Sequence, residues 1–322
     1  MGTKKVPIKG LLVLCIILVL ISAGCINRST KIEIANWPNG YRSAVCTTFD
    51  TELARKEDLM PIASILKSKG INATFFVVSG YYQDTPEVLN ILKDFEVASM
   101  AWNQSEWMLS DLNFKYQDFW IKQSDKWLEE HDFKPRGFRA PYLRFNSDTL
   151  KILEDSGYVY DSSMIGTMPQ INGLVEVPMA INYDPFWSKE TMKYSTTPTY
   201  LIFKRTHEKG ELFSFHTHPE KTMENFPQFI EFLDYINEKN VWPASCIEVA
   251  DWWRNRQTLE ITGNSQEATV KNTGGTVIKG VTLKITPKRE VEGAITIVEE
   301  ENTIYAVLPD LSPGAETTLR II

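Results

Sequence analysis

Gly137-Phe138-Arg139-Ala140-Pro141-Tyr142 decides the fold of this 322-residue chain. A short apolar β run gives way within one residue to a guanidinium, and Pro141 ends any further strand pairing. Two other stretches are built alike. Phe49-Asp50-Thr51-Glu52 closes the β-rich run 41–50, and Phe215-His216-Thr217-His218-Pro219 closes the apolar run that starts at Leu212. Charged or ring-nitrogen side chains that follow buried strands are what the C-terminal rim of an α/β barrel presents.

The chain around these stretches alternates in the way such a barrel needs. Residues 57–69 have helical apolar spacing through Leu59, Ile62, Ile65 and Leu66 and stop at Gly70. Strands are predicted at 73–78, 96–100, 137–140, 158–161, 175–178 and 212–215, with helices after Pro86 and over 115–131, 147–156 and 224–239. The stretch from Trp242 to Trp253 completes the pattern. Strand and helix in turn indicate parallel βαβ units.

At Gln257 the texture changes. Apolar and polar residues alternate with period 2 in 279–285, 294–298 and 303–308, with turns at Asn272-Thr273-Gly274-Gly275 and Leu311-Ser312-Pro313-Gly314. The fold class is therefore α/β, a distorted (β/α) barrel over 41–256, followed by a small all-β sandwich over 257–322. No residue cluster in the second part suggests chemistry, so a spacer or binding module is expected there.

The N-terminus reads as an export signal over 1–24. Lys4, Lys5 and Lys9 precede an apolar run from Leu11 to Ile21, which ends in Ser22-Ala23-Gly24-Cys25. That run is shorter than the ~20 residues a spanning helix needs. Small residues before Cys25 resemble a lipoprotein processing box, which implies lipidation at Cys25, a tether over 25–40 and a protein held on the outer face of a membrane. Forty-one acidic against 34 basic residues argue against nucleic acid as a partner. Cys46 and Cys246 are read as lying in an early and a late strand that a barrel sets side by side. Two buried free thiols and a disulfide both remain open.

The three rim stretches, in this order, together with Tyr158-Val159-Tyr160-Asp161-Ser162-Ser163, resemble the conserved blocks of the polysaccharide deacetylase family, the NodB-homology or carbohydrate esterase 4 fold. The segment 257–322 looks like an Ig-like adhesion module. The family resemblance covers roughly 41–254 and implies hydrolysis of the amide C–N bond of N-acetylated glycans. By resemblance, Asp50 is the base and Arg139 pairs with it. The Tyr142 backbone amide helps bind the oxyanion, and Asp161 tunes a late histidine that protonates the leaving amine. His216 and His218 both match that histidine, in different registers.

The family's Zn²⁺ site is where the chain departs. Thr51 stands where a second Asp is common, and a minority spacing would make Glu52 the carboxylate ligand. The two metal histidines are replaced by Met100 and Gln104. A thioether and a neutral amide are poor donors for zinc, so zinc is expected to be absent or weakly bound. A relocated centre of Asp50, Glu52 and the His216/His218 pair is the alternative. Trp102, within the degraded block, is expected to stack on a sugar face, with Trp107, Trp187 and Trp252-Trp253 as lesser candidates. The function read from the sequence is thus a cell-surface polysaccharide deacetylase-like protein, or a non-catalytic carbohydrate-binding descendant.

Overall fold

A computed structural model describes residues 30–52, 54–103, 109–182 and 198–322. The export signal, Cys25, Gln104, Trp107 and Trp187 lie outside the described residues. Among those described, no helix is long and apolar enough to cross a membrane.

The elements run β1 (Lys31–Ile34), β2 (Ser43–Asp50), α1 (Lys56–Ser68), β3 (Ala73–Val77), β4 (Glu96–Ser99), α2 (Phe114–Glu130), β5 (Gly137–Phe138), α3 (Ser147–Asp155) and β6 (Tyr160–Asp161). Then come β7 (Gln170–Asn172), β8 (Leu174–Glu176), β9 (Ile181–Asn182), α4 (Pro198–Lys209), β10 (Leu212–Thr217), α5 (Pro219–Glu224), α6 (Phe226–Asn237), β11 (Val241–Pro243) and α7 (Cys246–Arg256). The C-terminal strands are β12 (Leu259–Gly263), β13 (Glu267–Asn272), β14 (Thr282–Thr286), β15 (Val291–Glu292), β16 (Thr296–Glu300), β17 (Thr303–Val307) and β18 (Glu316–Ile321).

The first part is one curled, half-barrel sheet in the order β7-β8-β6-β5-β4-β3-β2-β10-β9, with β11 also paired to β2. Every pairing is parallel except β7 with β8. All eight residues of β2 are buried, as a central strand covered on both faces requires. Parallel pairing aligns the C-terminal ends of β2, β5, β6, β8 and β10, so Asp50, Arg139, Asp161, Glu176 and His216 leave the sheet at one rim. Gly137 is required at the base of the key loop: a Cβ there would fall 1.9 Å from the Tyr160 ring, which crosses β5 to donate to Glu96 Oε1 at 2.7 Å.

The second part comprises two four-stranded antiparallel sheets, β1-β14-β17-β16 and β12-β13-β18-β15. Two sequence expectations are corrected here. Lys31–Ile34, expected as tether, pairs with β14 as an edge strand, because its Lys-Ile-Glu-Ile alternation lays an apolar stripe on that sheet. Cys246, expected in a strand, opens α7, whose start is set by a capping box between Ser245 and Glu248. Cys46 and Cys246 are buried free thiols, and burial, with Cys246 alongside, pushes the Cys46 thiol well up.

One apolar cluster runs from the barrel into the C-terminal sheets. It joins Trp37, Val249 and Trp253 to Val270, Leu283, Ile285 and Leu319. Arg42–Glu300 at 2.9 Å and the Arg256 guanidinium on the Ile34 and Ala35 carbonyls (2.9 Å each) fasten the seam.

Candidate functional site

The rim is organised by one fully buried cation. Arg139 Nη1 donates to Asp50 Oδ1 at 2.6 Å and to Thr48 Oγ1 at 3.0 Å. Its Nε donates to the Ser162 carbonyl at 3.1 Å, and Nη2 to Ser162 Oγ at 2.9 Å. The guanidinium also lies 3.9 Å over the Phe76 ring. Four directed hydrogen bonds and a π face offset the desolvation that a buried ion pair carries. The pairing of Asp50 with Arg139 expected from the family resemblance is therefore present as geometry.

Behind Arg139 the chain turns sharply. Tyr142 and Leu143 adopt left-handed backbone angles (φ 56° and 57°), a conformation that costs a non-glycine residue about 1–2 kcal/mol. The Ala140 amide donates to Ser163 Oγ at 2.8 Å, and Ser163 Oγ donates to Asp161 Oδ1 at 2.6 Å. Tyr142 leaves its side chain more than half exposed at the rim.

Asp161 does not reach the late histidine. It is buried, hydrogen bonded with Ser163 and set against the Glu176 carboxyl. The two are direct partners in the β6–β8 register. Burial pushes Asp161 up to about 6. Burial, and then the neighbouring Asp161 charge, push Glu176 up to about 9. His216 Nδ1 lies against Met179 Sδ, and the Ile165–Met179 bridge fixes residue 179 there.

His216 is buried and lies opposite Thr48 on β2. His218 stands one turn of the rim away, with ring centroids 5.8 Å apart, and its Nε2 meets Glu52 Oε1 at 3.0 Å. Glu52, the expected carboxylate ligand, is therefore a partner of His218. Thr51 is buried and turned back onto the Phe76 carbonyl at 3.1 Å.

Met100, at one of the two positions where the family resemblance expects a metal histidine, is packed as core. Met100 is 2% exposed and belongs to the apolar cluster that holds Phe76, Ala98, Tyr160 and Val177. Its amide bonds the Val77 carbonyl, and the next residue, Ala101, is buried with φ 60°. Among the described residues no group of three or more His, Cys, Asp or Glu side chains converges as a metal-holding set, including the alternative of Asp50, Glu52, His216 and His218. A thioether sealed in hydrocarbon and a carboxylate engaged by a histidine do not fit a zinc ion of the family type.

Trp102 is half-buried, edge-on to Trp127 of α2 (6.4 Å) and close over Gly80. Trp252 donates to the Asn36 carbonyl, and Trp253 packs 5.6 Å from Trp37, so both serve the core. Glu176 was missed in the sequence. The signal for it was a carboxylate one residue from the end of the apolar run Leu174 to Val177.

Residues 39–160 match the family model described as polysaccharide deacetylase. The chain is similar to a solved structure assigned as a polysaccharide deacetylase from Mycobacterium smegmatis (TM-score 0.60, 19% identity, 70% of this chain and 94% of that one). It is also similar to one so assigned from Pseudomonas aeruginosa PAO1 (TM-score 0.57, 15%, 69% and 94%) and to Puue allantoinase (TM-score 0.55, 15%, 69% and 93%). At these identities the likeness shows the fold. Comparison with curated proteins finds no match.

Proposed function

We propose, from the premise that this chain carries a polysaccharide deacetylase domain, that its rim cleft binds N-acetylated cell-surface polysaccharide without zinc-assisted hydrolysis. The observation that carries this reading is the contrast between two neighbouring places on the rim. The buried Asp50–Arg139 pair and the strained Tyr142 turn are retained, while Met100 packs as core. A buried ion pair is a costly feature to keep for stability alone. With the first carboxylate held on Arg139 and the Tyr142 turn beside it, the cleft offers a fixed acceptor and a backbone donor to an acetamido group. Water near neutral pH is a weak nucleophile unless a metal lowers its pKa to about 7, and this donor set favours no such ion. Cys25 lipidation and display on the outer face of a membrane, proposed from the sequence, would put the cleft where such glycans are.

Hydrolysis by Asp50 acting as base without metal is the second reading, favoured by the Asp50–Arg139 geometry alone. Titrating chitooligosaccharide and its deacetylated counterpart into purified protein, with acetate release followed in parallel, separates the two. Saturable binding that prefers the acetylated sugar, with no acetate, is the expected result. Acetate release that tracks protein concentration would replace binding with catalysis. Equal, weak affinity for both sugars would remove the proposal.

A further inference from the structure

Glu176 lies on β8 directly opposite Asp161 on β6, and the two carboxyls face each other behind the Arg139 loop. Asp161 Oδ1 is satisfied by the Ser163 hydroxyl. Asp161 Oδ2 is buried with no well-formed hydrogen bond among the described residues, though the Ser162 and Ser163 amides lie near the carboxyl; the Glu176 carboxyl stands beside it. Glu176 Oε1 accepts the Met164 amide at 2.9 Å. Two carboxylate oxygens in contact repel unless one carries a proton, and a buried acceptor with no donor is costly.

We infer that Glu176 is a positioning residue of the cleft: it lends one proton to Asp161 Oδ2, so that the two carboxyls act as a monoanion that fixes Ser163 and, through it, the Arg139 loop. The chain of contacts is continuous. Glu176 O–H donates to Asp161, Asp161 accepts from Ser163, and Ser163 accepts the Ala140 amide at 2.8 Å. That amide lies two residues before the strained Tyr142. Loss of the shared proton puts two negative charges in one pocket, and the link between β6 and β8 opens.

The surroundings leave the proton on the pair. Arg139 on β5 is a cation acting on Glu176, and it is already engaged by Asp50. On α7, Arg254 bonds the Gly173 carbonyl, Asp251 pairs with Arg136, and Glu248 bonds Asn72. Glu154 of α3 lies beside Gly173, β7 bears no titratable side chain, and His216 on β10 is set against Met179. Burial raises both acids, so the folded chain keeps a proton that the unfolded chain releases in the ordinary carboxylate range. Stability from this pair is full below that range and is lost as pH rises toward about 9.

The consequence for ligand rests on the binding proposed above; the test of the pair does not. Infrared spectra of the full chain should show a protonated-carboxyl band at neutral pH that disappears as pH approaches about 9. Glu176→Gln keeps an N–H for Asp161 Oδ2 and should remove that band and flatten the alkaline fall in Tm. Should Glu176→Gln not fold, Asp161→Asn removes the second carboxyl while Glu176 stays buried, and should move the loss of the band to lower pH. A band and an alkaline Tm loss that both persist in Glu176→Gln would overturn the inference. If the wild type binds no sugar yet the band behaves as stated, the functional proposal fails and the carboxyl pair stands.

Discussion

Two halves of the same rim have been treated in opposite ways. Around β5, β6 and β8, Arg139, Asp50, Asp161, Ser162, Ser163 and Glu176 form a dense polar network under the surface. At the end of β4, Met100 and Ala101 are packed as core. Arg139, Asp50, Ser162 and Ser163 in the first half are each matched by a partner, because a buried charge left alone costs several kcal/mol. In the second half the apolar Met100 side chain makes no such demand.

Removing the guanidinium should break the contrast most severely. Arg139→Ala leaves Asp50 buried without its partner and is expected to lower unfolding free energy by about 3–5 kcal/mol, measured by denaturant titration. A loss below 1 kcal/mol, by the same principle, would mean the polar half is solvated and not a fixed framework. Ser163→Ala strips the Ala140 amide and Asp161 Oδ1 of their shared partner, for about 1–3 kcal/mol. It should weaken sugar binding as well, since the Tyr142 turn loses its anchor. Met100→Leu keeps volume and apolarity and should cost below about 1.5 kcal/mol, with zinc uptake by equilibrium dialysis unchanged. A fall in zinc uptake in that variant would show the thioether to be a ligand. Glu52→Gln retains an acceptor for His218 and should cost about 0.5–1 kcal/mol; a larger loss of zinc uptake would return Glu52 to a metal role.

Much of the polar half was legible in the sequence because each of its residues ends a strand. Phe49-Asp50, Phe138-Arg139 and Tyr160-Asp161 all move from a buried aromatic ring to a charge in one step, and parallel pairing brings such steps together. The coarse alternation was legible too: β2, α1, β3, α2 and β10 lie where their periodicities put them. What the sequence hid were contacts made by long-range register. Glu176 meets Asp161 only because β8, and not a helix, follows β6 in the sheet order. Met179 meets His216 through a position fixed by a single bridge. Cys246 was misplaced because Val241 to Trp253 is mostly apolar, and a short apolar run does not separate strand from helix; the Ser245/Glu248 box was the discriminating signal. The alternation of Lys31–Ile34 was equally plain but stood outside the part read as folded. Continuity of one apolar cluster across barrel and C-terminal sheets had no local signature at all.

The most direct measurement is calorimetric titration of chitooligosaccharide into full-length protein, before and after exhaustive chelation, with zinc and free acetate assayed on the same samples. Binding that survives chelation unchanged, at zinc well below one ion per chain and with no acetate formed, is the expected result. Binding or acetate release that vanishes on chelation and returns with one equivalent of zinc would contradict a recognition cleft that works without the metal.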